Sequence, residues 1–223
     1  MNTDERRQES INRMGEQLGP MYHELQNECS WLHYKWAHYR ELFGTSEERV
    51  DLMNSVAPAC ISVIQDAMWN DVLLHIAKLL DQPVTSGRAT LTILALPKLT
   101  PPAIRPEITK AIEQLKEDAR FARDWRHRRL AHLDLLDALG RSATPLAGAS
   151  RAMVQTALDH LATILNLIDA HFCDATFAYS SFGAADAVGL LLTIRRGHRA
   201  YEESNQRRLR GDYTGDDWKE DPI

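Results

Sequence analysis

A chain of 223 residues is long enough to bury a substantial core, and its formal net charge of -5 excludes a protein that coats nucleic acid through global charge. The three cysteines, Cys29, Cys60 and Cys173, lie far apart, fit neither a disulfide framework nor a paired zinc-ligand spacing, and read as free thiols in a reducing compartment. The charged opening residues lack the apolar core of a signal peptide and no apolar run has the length of a membrane span, so the sequence predicts a cytoplasmic protein with no membrane association.

β-Branched runs are short and apolar residues recur at helical spacing, which predicts an all-α, up-and-down bundle of about five or six helices. The expected organisation is a polar lead-in over 1–19, a single helical domain over 20–210 and an acidic, disordered tail over 211–223. The lead-in is helical over 4–18, interrupted at Gly15 and stopped by Gly19-Pro20. Pro20 then opens a helix over 21–43 whose core stripe is Leu25, Leu32, Trp36, Tyr39 and Phe43, with Gly44 ending it. Within it Trp31-Leu-His-Tyr-Lys is echoed by Trp36-Ala-His-Tyr-Arg, an advance of about 140° around a helix. The two tryptophans therefore cannot face one core wall. His33 and His38 are five apart rather than four, so no metal site is read there.

Thr45 to Glu48 has the form of a capping box for a helix reaching Asp81, broken near Pro58, with Ile61, Ile64, Met68, Val72, Ile76, Leu79 and Leu80 in the core. Asp66, Asn70 and Asp71 are its polar neighbours. Residues 82–88 read as a loop, 89–96 as a short helix closed by Pro97, and Thr100-Pro101-Pro102 as a second punctuation. From there to Gly140 the pattern is helical but too long for one helix, with a bend expected at Asp124 or Trp125. After a loop over 140–150, Ser150 caps a helix over 151–177 with Met153, Leu158, Leu161, Leu165 and Ile168 in its core stripe. Ser180 or Ser181 caps a last helix, apolar over 188–194 and basic over 195–210.

Against this background one stretch stands out. Five arginines (Arg120, Arg123, Arg126, Arg128, Arg129) and two histidines (His127, His132) fall within thirteen residues of an acidic chain, which points to an anionic ligand, with phosphate the commonest. There is no glycine-rich phosphate loop, no zinc framework, no His-Glu-x-x-His and no Gly-x-Ser-x-Gly, so the sequence calls for no cofactor and no metal. Arginine and histidine suffice for cleavage of RNA by its own 2′-hydroxyl. The imidazole moves protons near neutrality and the guanidinium fork stabilises the charged phosphate.

Arg126-His127, four intervening residues and His132 resemble the Arg-polar-x(4–6)-His motif of the HEPN family. With Trp125 before it and Leu133-Asp134 after it, the segment is similar to the AbiU-type branch associated with phage abortive infection. Trp36 to Phe43 and Ala77-Lys-Leu-Leu-Asp81 match further features of that branch, so the resemblance covers roughly 21–179. It implies a metal-independent endoribonuclease, a toxin or anti-phage effector, working as a homodimer on RNA, with an antitoxin or nucleotidyltransferase as possible partner. His132 is then the acid-base group, Arg126 the phosphate clamp and His127 a third catalytic neighbour. Arg123, Arg128, Arg129 and Asp134 bind or orient substrate. The branch more often has asparagine where this chain has His127.

On one continuous helix, Arg126 and His132 would stand about 120° and about 9 Å apart, while Arg128 and Arg129 would lie nearer the histidine. A kink near Trp125, or a two-fold dimer, is therefore required to bring the pair to one phosphate. The alternatives are a helical dimer that binds RNA, nucleotide or protein without turnover, and a purely structural helical protein.

Overall fold

A computed structural model describes residues 2–214 except Leu133 and Ala143. The described chain is all-α apart from one two-stranded hairpin. Its helices are α1 (Thr3–Phe43), α2 (Glu47–Val56), α3 (Pro58–Leu79), α4 (Leu96–Leu99), α5 (Arg105–Asp118), α6 (Arg120–Trp125), α7 (Leu135–Ala138), α8 (Arg151–Cys173) and α9 (Ala185–Leu209). The chain divides into two compact units, one formed by residues up to Ala37 with Asp66–Gly183, the other by His38–Gln65 with the residues from Ala184 onward. The expected tail falls from Gly215 onward outside the described residues.

In the first unit the core combines predicted stripe residues of α1, α3 and α8 with Leu73 and a stripe of α5. Leu25, Leu32 and Trp36 of α1, Val72, Leu73 and Ile76 of α3, Ile108, Ile112 and Leu115 of α5, and Leu158, Leu161, Leu165 and Ile168 of α8 are all buried. Helix α5 packs along α8. Trp36 is buried against Trp69 and donates through Nε1 to Gln155 Oε1 at 2.9 Å, whereas Trp31 is 55 % exposed. In the second unit α2 packs on α9, with Tyr39 and Phe43 buried. Among the described residues no helix is long and apolar enough to cross a membrane.

Several local expectations are corrected. Helix α1 does not stop at Gly19-Pro20. It breaks at Gly15, whose φ of 84° and ψ of 170° belong to glycine, and then continues through Pro20 at the expense of one backbone bond. The lead-in is thereby folded back so that the backbone of Ser10 and Ile11 approaches Gly19. A Cβ on Gly19 would stand 2.5 Å from the Ser10 carbonyl oxygen.

Thr45 is not the cap of α2. Its hydroxyl donates back to the Arg40 carbonyl at 2.9 Å, and Ser46 occupies the cap position. The amino-terminal half of α3 is less buried than its periodicity implied, with Ile64 40 % exposed, and in α8 Met153 is also largely exposed. Residues 82–88 contain a strand: β1 (Val84–Thr85) pairs with β2 (Arg88–Ala89) through a turn in which Ser86 and Gly87 both have positive φ. Pro97 lies inside the first turn of α4 rather than closing a helix. Helix α8 ends at Cys173 on a left-handed Asp174, and α9 starts after Ala184 with no serine cap. Ser150 does cap α8, accepting from the Met153 amide at 3.2 Å.

The candidate Arg126–His132 site

The long helical pattern before Gly140 resolves into α5, α6, a π turn and α7, and the breaks between them position the candidate residues. Helix α5 ends at Ala119, and α6 restarts with Phe121 and Ala122 buried as its anchors. At Arg126 the ladder changes to a single π turn over Arg126–Leu130, closed by the Ala131 amide donating to the Arg126 carbonyl at 2.8 Å. The regular helix is over before His132, so the 120° and 9 Å separation expected of a continuous helix does not apply. His132 is exposed just beyond the turn.

Arg126 is half-buried. Its Nη1 donates to Oδ1 of Asp81, which sits where α3 closes in a tightened turn, the Asp81 amide reaching the Lys78 carbonyl at 3.1 Å. Thr92 fixes that end of α3: its buried hydroxyl donates to the Leu79 carbonyl at 2.9 Å. The acidic partner of Arg126 is thus Asp81 rather than Asp66 or Asp71 of α3. Asp71 instead accepts from Lys35 Nζ at 2.5 Å. Among the described residues Arg126 has no other side-chain acceptor, so Nε and Nη2 keep their hydrogen-bonding capacity.

Arg128 is placed very differently. Nε donates to Asp137 Oδ2 at 2.6 Å and Nη2 to Asp137 Oδ1, in a bidentate fork. The same guanidinium donates to Ser142 Oγ at 3.1 Å and to the carbonyls of Thr144 at 2.6 Å and Pro145 at 3.2 Å, and its Nη1 lies 3.4 Å from Asp124 Oδ2. The Arg128 guanidinium holds the Asp137 carboxyl below the usual aspartate range. Asp124 Oδ2 also accepts from the Ala147 amide at 2.8 Å, and Trp125 Nε1 donates to the Ala147 carbonyl at 2.7 Å. These contacts fasten the loop before α8 onto the Arg126 turn.

Arg129 stacks over the Trp125 ring, with Cζ 5.0 Å from the centroid. Asp134 caps α7, its Oδ1 accepting from the amides of Leu136 at 2.9 Å and Asp137 at 3.1 Å. Arg128, Arg129, Asp134 and Asp137 line an open cavity of about 670 Å³. A second, of about 560 Å³, is lined by Arg120, Arg123, His127 and Arg128. Arg123 and His127 are exposed there and make no ion pair with a described residue, whereas Arg120 pairs with Glu117. Leu133 lies outside the described residues.

Sequence reasoning did not single out Asp137, nor the pairing of Asp81 with Arg126. Nothing local marks Asp137, nine residues from its partner, because the segment between them is irregular. Asp81 was visible only as the end of the Leu-Asp motif. Among the described residues no group of three or more His, Cys, Asp and Glu side chains is arranged to hold a metal ion.

In comparisons with known proteins, the HEPN-class family model described as AbiU2 matches residues 15–190. Nothing among the curated proteins or the solved structures matches the chain. With most of its length, and the whole Arg126–His132 segment, inside that match, this chain belongs to the AbiU2 family of HEPN proteins.

Proposed function

We propose that the chain is a metal-independent endoribonuclease, with Arg126 as the phosphate clamp and His132 as the acid-base group in a cleft completed by a second copy. The observation that carries the reading is the contrast between two arginines. Arg128 commits Nε, Nη1 and Nη2 to Asp137 of α7 and to the loop before α8, while Arg126 is fixed by one bond to Asp81 and keeps Nε and Nη2 for a ligand. A preorganised cation with free donors is what a phosphate gaining charge in the transition state requires.

In the reaction the substrate's 2′-hydroxyl loses its proton to an imidazole and its oxygen bonds to the adjacent phosphorus. The bond to the 5′-oxygen breaks, and that oxygen takes a proton from an imidazolium. The products are a 2′,3′-cyclic phosphate and a free 5′-hydroxyl, with no oxidant, reductant or metal consumed. His132 supplies one of the proton transfers, and His127 or the second copy's histidine the other. Arg123 and His127 extend the anion-binding surface along the neighbouring cavity, and Asp134 fixes the segment after His132 by capping α7. Exposed Val63, Ile64, Leu190 and Leu192 in the second unit are apolar surface suited to a second copy.

The test is incubation of the purified protein with mixed RNA in chelator. Cleavage to cyclic-phosphate ends that is lost in Arg126→Ala and His132→Ala supports the reading, and equal cleavage by both variants overturns it. RNA binding without cleavage by the dimer would favour a non-catalytic binding module, which the same arginine-lined cavities would serve.

A further inference from the structure

Another cavity in the first unit lies away from the arginine turn. It has a volume of about 380 Å³ and is walled by Trp31, Tyr34, Phe177 and Phe182, with Arg6 and Asn27 among its polar lining. Trp31 and Tyr34 are stacked, with centroids 5.4 Å apart and planes 15° from parallel, and Phe182 meets Tyr34 edge-on at 6.5 Å. Trp31 nevertheless remains 55 % exposed and Phe177 39 % exposed.

The cation comes from the lead-in. The break at Gly15 and the close approach at Gly19 fold Thr3 to Met14 back along the next part of α1, and Arg6 reaches the aromatic wall as a result. Arg6 is exposed and has no side-chain partner among the described residues. Asn27 Nδ2 lies 3.1 Å from His23 Nε2, and its carbonyl oxygen can accept from a ligand N–H.

We infer that this cavity binds a nucleotide, its base continuing the Trp31–Tyr34 stack and its phosphate held by Arg6. The exposed ring of Trp31 and the guanidinium of Arg6 in the same lining select a planar, anionic ligand, since stacking takes the base and the guanidinium fork takes the phosphate. The volume falls in the range of small-ligand pockets, about 300–1,000 Å³. The same chemistry is available in a free mononucleotide and in one unit of an RNA strand. The inference does not rest on the proposed cleavage reaction, because stacking and phosphate binding here use none of its residues.

The experiment is calorimetric titration of the full chain carrying His132→Ala with AMP, adenosine, inorganic phosphate and a short oligoribonucleotide. His132→Ala removes turnover as a complication, so failure here leaves the cleavage reading standing, and the reverse. The expected result is binding of AMP or the oligonucleotide that weakens about tenfold or more in Trp31→Ala and in Arg6→Ala. AMP binding identifies a free nucleotide as the ligand; binding of the oligonucleotide alone identifies an RNA unit. Adenosine is expected to depend on Trp31 but not on Arg6. Binding that survives both substitutions overturns the proposal, as does no binding of either nucleotide. Conversion of a dimer to a monomer by Trp31→Ala in sedimentation, with nucleotide binding unchanged, also overturns it and makes the rings a protein contact.

Discussion

Asp81 and Arg126, forty-five residues apart in the chain, form an ion pair that joins the closing turn of α3 to the first residue of the π turn. The pair leaves both side chains about a quarter exposed. Its contribution to stability is therefore that of a partly screened salt bridge, about 1 kcal/mol or less. Its consequence for position is larger, because it fixes one end of a guanidinium whose other donors have no partner among the described residues.

Asp81→Ala is accordingly expected to leave the unfolding midpoint nearly unchanged while lowering RNA cleavage. Arg126→Ala should cost about a hundredfold or more, the scale of removing one transition-state donor. Asp81→Ala should fall between wild type and Arg126→Ala. Cleavage rates measured alongside urea unfolding check this, and a loss of activity that tracks a loss of stability would count against a positioning role for Asp81.

The Arg128 clasp predicts a local effect. Arg128→Ala removes the partner of Asp137 and of the Ser142–Pro145 stretch at once. Hydrogen exchange and limited proteolysis should then rise in the loop preceding α8 while the α5–α8 core keeps its protection. Arg128→Lys keeps the charge but loses the fork and is expected to rescue only part of the docking. Because the folded Asp137 carboxyl is depressed, its contribution is fully present above the ordinary aspartate value of about 4 and is lost as pH falls through its lower folded value.

Gly15 and Gly19 should respond to alanine for different reasons. At Gly15 the strain is conformational, φ being 84°, and about 1–3 kcal/mol is expected. At Gly19 the backbone of Ser10 and Ile11 occupies the space a methyl would need, so overpacking of about 1–3 kcal/mol is expected. Both variants should increase amide exchange over residues 3–14 ahead of any change in α8, and a substitution tolerated with unchanged exchange would show that the lead-in does not depend on this approach.

Acid should weaken the fold before the carboxylates titrate. Burial pushes the His33 and His75 imidazoles below the ordinary histidine value, and Lys35 adds to the effect at His75 against the pull of Glu28 and Asp71. The unfolded chain takes up these protons more readily, so stability is lost as pH falls below about 6.5 toward the folded values. Thermal melts between pH 7.5 and 5 are expected to show a falling Tm, and the slope should shrink in His33→Gln.

By itself the sequence determined the all-α class, most of the core stripes of α1 and α8, that Trp31 and Trp36 cannot face one core wall, and the Arg126–His132 segment with its family resemblance. Those features are encoded locally, in apolar periodicity and in motif spacing, and need no knowledge of what packs where. Only the tertiary structure decided that Asp81 rather than Asp66 or Asp71 meets Arg126, that Arg128 serves the loop, and that the lead-in folds back to carry Arg6 to an aromatic wall. Each depends on a break in the helical ladder, at Gly15, at Ala119 or at the π turn. The partners such breaks create are distant in sequence, or separated by irregular chain, where no period relates one residue to the other.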